Sequence, residues 1–201
     1  MYNKKIRNTI IGVVLSFLLW YFVFLSDLLF SFWYRVTGAS IILATYAYLN
    51  DEKKVLRSPT LKQIAYGLGS GILLYTLFYM GFNVFRRFVA GGASNVYLFR
   101  SELPLIIPAS LLLVTSFCEE YFWRKYTQRN LVQFYGVKGI IITSFLYAAI
   151  HLSTNNIPLV FAALIAGVLW GILYEYTGSF WVIVFSHIAW TELIFVFLPL
   201  T

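Results

Sequence analysis

Charge is scarce in this chain: of 201 residues, 11% are charged and 60% hydrophobic, against about 25% and about 45–50% in ordinary soluble domains. That balance excludes a soluble globular fold, and the length leaves no room for a separate soluble domain. At about 20 apolar residues per span, at most about seven helices cross a bilayer. Cysteine is scarcer still. Cys118 is the only one, which excludes an intrachain disulfide; beside two acids its thiol is disfavoured as a thiolate, so it is read as a packing residue. The chain also lacks a His-Glu-x-x-His pattern, an internal repeat, a low-complexity segment and a small-residue cleavage site after the basic start Lys4, Lys5 and Arg7. Its first apolar run is therefore expected to stay as an uncleaved span.

What is present is an all-α pattern, a polytopic transmembrane bundle of about seven spans in a single membrane domain over residues 1–201. Spans are expected at Thr9–Leu25, Leu29–Leu49 with Asp27 at the turn between them, Leu61–Met80, Pro104–Leu131, Gly139–Leu152, Pro158–Tyr176 and Phe180–Phe197. Asn50–Leu61, which holds Asp51, Glu52, Lys53, Lys54 and Arg57, reads as a polar linker. Gly81–Arg100, with Arg86-Arg87 and Gly91-Gly92, reads as an interfacial loop or short surface helix. Residues 1–100 thus form N-terminal spans with an interfacial segment, and residues 103–198 a second half. Gly67, Gly69 and Gly71, and the Gly167/Gly171 pair, suit close helix packing. The six tryptophans, Trp20, Trp33, Trp123, Trp170, Trp181 and Trp190, are expected mostly at interfaces and against lipid.

The net charge of +7 follows topology rather than nucleic-acid binding, since the basic residues cluster in short loops. Seven spans with a cytoplasmic N-terminus put eleven of the fifteen Lys/Arg inside and Arg35, Arg86, Arg87 and Arg100 outside, as the positive-inside rule expects.

Against this apolar background stand Glu119, Glu120 and Arg124 within one expected span. Charges there cost ~2.5–3.5 kcal/mol each on insertion scales, and the default reading is a functional site. Residues four apart share a helix face, so Glu120 pairs with Arg124, while Glu119 points about 100° away towards the face of Trp123. His151 and His187, the only two histidines, supply the other ingredient of acid/base chemistry. Glu119 and His151 each lie about 16 positions, roughly 24 Å along a helix, from a turn at Tyr135-Gly136, so an antiparallel hairpin brings them to one height. His187 lies nine or ten residues past the Thr177-Gly178 turn, close to the same level. Arg124 and Lys125 suggest a membrane boundary just past Glu119 and a site in a cavity facing the cytoplasm, whereas the segment 139–152 places His151 deep or near the far face, so both depths stay open.

The series Glu119-Glu120-x-x-x-Arg124, then Tyr147-x-x-x-His151, then His187 in a last long helix resembles the CPBP family of intramembrane proteases, named for CAAX proteases and bacteriocin processing. The resemblance covers roughly Leu103 to Leu198. It implies a glutamic-type endopeptidase in which Glu119 and His151 activate water and His187 stabilises the oxyanion, with Glu120, Arg124, Tyr147 and Thr191 in support. Two positions depart from the family pattern: Tyr147 stands where phenylalanine is usual, and Thr191 where asparagine is usual four residues after the final histidine. No cofactor is implied. The alternative is zinc held by Glu119, His151 and His187. The partners implied are membrane lipid and a peptide or protein substrate, lipidated or not, with no nucleic acid. The expected localisation is a prokaryotic plasma membrane with the N-terminus in the cytoplasm.

Other readings of the same residues stay open at this point. Glu119, Glu120 and Arg124 also suit a packing ion-pair network. The Glu/His set suits a proton-coupled transporter. Thr191 suits a catalytically silent family member with an immunity or scaffold role. Glu175 and Glu192 are read as interfacial acids, Glu192 standing close enough to His187 to support it.

Overall fold

The computed structural model describes residues 2–25, 30–52 and 56–200; Asp27, Lys53 and Lys54 lie outside the described residues. Among the described residues the chain forms eight α-helices: α1 Tyr2–Leu25, α2 Phe32–Asn50, α3 Leu61–Tyr97, α4 Ile106–Glu120, α5 Arg129–Tyr135, α6 Lys138–Ala149, α7 Ile157–Thr177 and α8 Phe180–Thr191. Tyr121–Gln128 joins α4 to α5 as wider π-type turns, so 106–135 runs as one rod. No strand occurs among the described residues.

Local chemistry sets the boundaries. Thr60 and Gln63 close a reciprocal capping box at the start of α3, which satisfies backbone N–H groups that have no preceding turn to bond to. Asn156 accepts from Leu159 N at 3.1 Å and Pro158 sits in the first turn of α7. The rod ends at Gly136 (φ +57°) and α7 at Gly178 (φ +60°), left-handed positions that glycine takes without steric cost.

Four helical stretches among the described residues are long and apolar enough to cross a membrane: Lys4–Phe24, Leu61–Ser101, Ile157–Thr177 and Phe180–Phe197. The remaining three expected spans fall outside that set for physical reasons. The rod carries Glu119, Glu120, Arg124, Lys125 and Arg129 along its length, α6 has only 12 residues before its short terminal turn, and α2 mixes Arg35, Thr37, Ser40 and Asn50 into its apolar run.

The segment expected as an interfacial loop or short surface helix, Gly81–Arg100, is helical, but as the second half of α3 and not as a separate helix, bent at Phe85 (φ −105°, ψ 18°) and ending in a tight turn at Leu98–Ser101. No proline interrupts it, and each glycine costs only about 1 kcal/mol of helix propensity. Tertiary contact outweighs that cost: Asn156 Nδ2 donates to Gly92 O at 2.8 Å, and a Cβ on Gly92 would come within 2.7 Å of Pro158.

Helices α3 and α8 approach closely because Gly67 and Gly71 face α8. A Cβ there would stand 2.6 Å from Phe185 Cβ and 2.5 Å from Ser186 O respectively, whereas Gly69 faces open space. Helix α8, which carries His187, is seated by this contact.

Polar contacts divide the bundle into two ends. Lys5 meets Glu52 and Gln133, and Asp51 meets Lys125 and Arg129, so the start of α1, the end of α2 and the end of the rod come together. At the opposite end Glu102 accepts from Phe32 N, Trp33 Nε1 donates to Phe99 O, and Arg100 donates to Val196 O.

Candidate active site

The central part of the rod is buried on every side: all eight residues from Tyr121 to Gln128 are inside the protein. Polar groups in such a position require partners, because an unpaired buried charge costs far more than it returns. Arg124 Nη1 donates to Glu120 Oε1 at 3.1 Å, and its guanidinium lies 4.7 Å from the Tyr147 ring centre and 5.4 Å from that of Trp170. Lys125 is held by Asp51 at 2.7 Å and lies over the Tyr121 ring. These pairs correct the reading of Arg124 and Lys125 as membrane-boundary markers: both charges are matched inside the protein, so they carry no information about where lipid headgroups lie.

Glu119, Glu120 and His187 are 7%, 0% and 4% exposed. The two acids face different partners. Glu119 Oε2 accepts from the Tyr147 hydroxyl at 2.9 Å. Glu120 Oε1 accepts from Arg124 and stands 2.8 Å from His187 Nδ1. The i, i+4 pair expected from spacing is thus one arm of a three-residue cluster that bridges α4, its π-type continuation and α8. The His187 ring stacks on Trp170, with centroids 3.9 Å apart and planes at 23°.

His151 sits in the tight turn Ile150–Thr154 that ends α6. Its Nδ1 lies 2.9 Å from Tyr147 O. A carbonyl only accepts, so Nδ1 carries the proton and a neutral ring has its lone pair at Nε2. Trp20, Phe24 and Tyr147 surround the ring. Tyr147 on α6 therefore stands directly beside Glu119, with His151 one turn further along.

Glu119, Tyr147, His151, His187 and Thr191 all line one cavity of about 120 Å³, together with Thr115 and Ser116. Its other walls are apolar and include Phe24, Phe32, Trp33, Phe99 and Phe195. Those rings belong to the end opposite Lys5 and Glu52, so the cavity extends away from the basic end, in line with the deeper of the two positions that the sequence left open.

Thr191 Oγ1 is 2.9 Å from His187 O and 3.1 Å from Ile188 O, so its proton is directed to its own helix. Glu175 accepts from Gln128 Nε2 at 3.0 Å. Glu192 is half-buried in the turns Glu192–Phe197 and does not line the cavity. Cys118 is buried. Trp20, Trp33, Trp123 and Trp170 are almost wholly buried, which corrects their reading as lipid-facing anchors: in so small a bundle the large rings fill the space around the polar site. Among the described residues, no three His, Cys, Asp or Glu side chains are grouped to hold a metal ion.

Sequence reading missed Ser116, Trp170 and Asp51. Ser116, one turn before Glu119 on the same helix, was within reach of a register argument. Asp51 meets Lys125 across 74 positions of sequence, and Trp170 meets His187 from another helix, so neither has a local signal.

Residues 101–192 match the family model described as Type II CAAX prenyl endopeptidase Rce1-like. No curated protein and no solved structure gives a match.

Proposed function

We propose, from the match of residues 101–192 to the Type II CAAX prenyl endopeptidase Rce1-like family model, that this protein is an intramembrane endopeptidase of glutamic type. The observation that carries this reading is the shared cavity of Glu119, His151 and His187. The substrate is a peptide bond in a membrane-associated or lipidated polypeptide. Its carbonyl enters the cavity beside Glu119, where α2, the rod and α6 complete a seven-span bundle around it.

The free oxygen of Glu119 and the lone pair on His151 Nε2 hold one water between them. As the water oxygen bonds to the carbonyl carbon, its proton passes to Glu119 and the carbonyl π pair moves onto oxygen. His187 Nδ1 donates to Glu120, so Nε2 donates to the new oxyanion when the ring is doubly protonated. Collapse of the tetrahedral species re-forms the carbonyl and breaks the C–N bond, and Glu119 returns its proton to the departing amine. Glu120 and Arg124 hold His187 in place. No metal enters this sequence of steps.

The test uses the purified full chain in liposomes with an internally quenched peptide bearing a farnesylated cysteine near its C-terminus, alongside the same peptide without the lipid. Cleavage of either reporter is expected, with Glu119→Gln and His151→Ala each lowering kcat at least about 10²-fold. Cleavage is also expected to survive exhaustive chelation. An intact wild type that cleaves neither reporter sinks the protease reading; inhibition by chelator that zinc reverses replaces the glutamate mechanism with a metal one.

A further inference from the structure

We propose that the hydroxyl of Ser116 is an oxyanion donor of this site, supplying the hydrogen bond that Thr191 is not oriented to give. The inference rests on the endopeptidase reading above.

Three observations carry it. The first is that Thr191 has one proton, and it points into its own helix, at 2.9 Å from His187 O and 3.1 Å from Ile188 O. Its oxygen, 3.3 Å from Ser116 Oγ, is then the acceptor in that pair and Ser116 the donor. The second is that Ser116 makes no bond to its own helix. Ser110, Thr143 and Ser144 each donate to the carbonyl four residues back at 2.8–2.9 Å, whereas Thr191 is the single partner of Ser116 among the described residues. The third is position: Ser116 is fully buried, lines the cavity with Glu119 and His187, and stands one turn before the two acids on α4.

The Ser116 proton therefore rests in a long, neutral contact on the wall of the cavity. Rotation about Cβ–Oγ turns it towards a substrate oxygen without moving the backbone. The exchange replaces a neutral bond of 3.3 Å with a charge-assisted one, which is about twice as strong. Because Ser116 and Glu119 share a helix, base and donor keep a fixed separation, as a preorganised site requires. Ser116 also donates irrespective of the protonation state of His187, whose Nδ1 is committed to Glu120.

The test uses the same liposome assay and reporters. Ser116→Ala is expected to lower kcat about 10²-fold, as loss of one oxyanion donor does, with KM little changed. Thr191→Val removes only the resting acceptor and is expected to cost less than Ser116→Ala. Thr191→Asn placed in the Ser116→Ala chain is expected to recover at least about tenfold, because its amide supplies a donor from α8. Ser116→Cys keeps the side chain's shape with a weak S–H donor, is expected to lose kcat in the same direction, and replaces the alanine variant if that chain does not fold. A cleaving wild type whose Ser116→Ala or Ser116→Cys chain retains full kcat, or loses activity through KM alone, overturns the Ser116 role and leaves the protease reading standing. A wild type that cleaves neither reporter removes both.

Discussion

Tyr147 touches both residues proposed to activate water: its hydroxyl donates to Glu119 Oε2 and its backbone carbonyl accepts from His151 Nδ1, each at 2.9 Å. The phenol that departs from the family pattern thus has a definite place, orienting one oxygen of Glu119 and leaving the other to the cavity. Glu120 has the contrasting role. Its oxygen joins Arg124 to His187, and removing its charge leaves a buried guanidinium without its carboxylate, a loss of order 3–5 kcal/mol. Glu120→Gln is accordingly expected to lower the thermal midpoint in detergent far more than Glu119→Gln, where an amide oxygen still accepts from Tyr147. Equal midpoints for the two variants would contradict this assignment. At this scale the Glu120–Arg124 pair was legible because it repeats at helical spacing. The Glu120–His187 contact spans 67 positions and is made only once α4 and α8 pack, so nothing local announces it.

The turns at Gly136 and Gly178 were the most legible elements, because glycine acts there through its own backbone conformation. The second half of α3 was not. Its arginines and glycines read as an interfacial loop or short surface helix, yet the continuous helix there is held by contacts with Asn156 and Pro158, which lie more than 60 positions away. The α3/α8 contact offers a test with an internal control. Gly71→Ala forces a Cβ to within 2.5 Å of the Ser186 carbonyl, while Gly69→Ala meets nothing within 4 Å. Overpacking against backbone costs about 1–3 kcal/mol and moves α8, which positions His187. Gly71→Ala is expected to lose both stability and cleavage rate, and Gly69→Ala neither. If the two variants behave alike in unfolding and cleavage, α8 is not seated by this contact.

Across the whole molecule, the loop and terminal basic residues that follow the positive-inside pattern single out one end of the bundle, the end where Lys5 meets Glu52 and Gln133. The cavity extends towards the other end, through Phe24, Phe32 and Phe99. If the basic end is cytoplasmic, the aromatic wall of the cavity lies on the outer side, and substrate reaches Glu119 from there. Because Cys118 is the only cysteine and is buried, single introduced cysteines report sidedness against a low background. Ser101, exposed at the end of α3, and Val137, 74% exposed in the turn between α5 and α6, mark the two ends. In intact cells a membrane-impermeant maleimide is expected to label Ser101→Cys at once and Val137→Cys only after permeabilisation. The reverse pattern would invert the orientation and put the aromatic wall on the cytoplasmic side; labelling of both without permeabilisation would show that the two ends do not lie on opposite sides of the membrane.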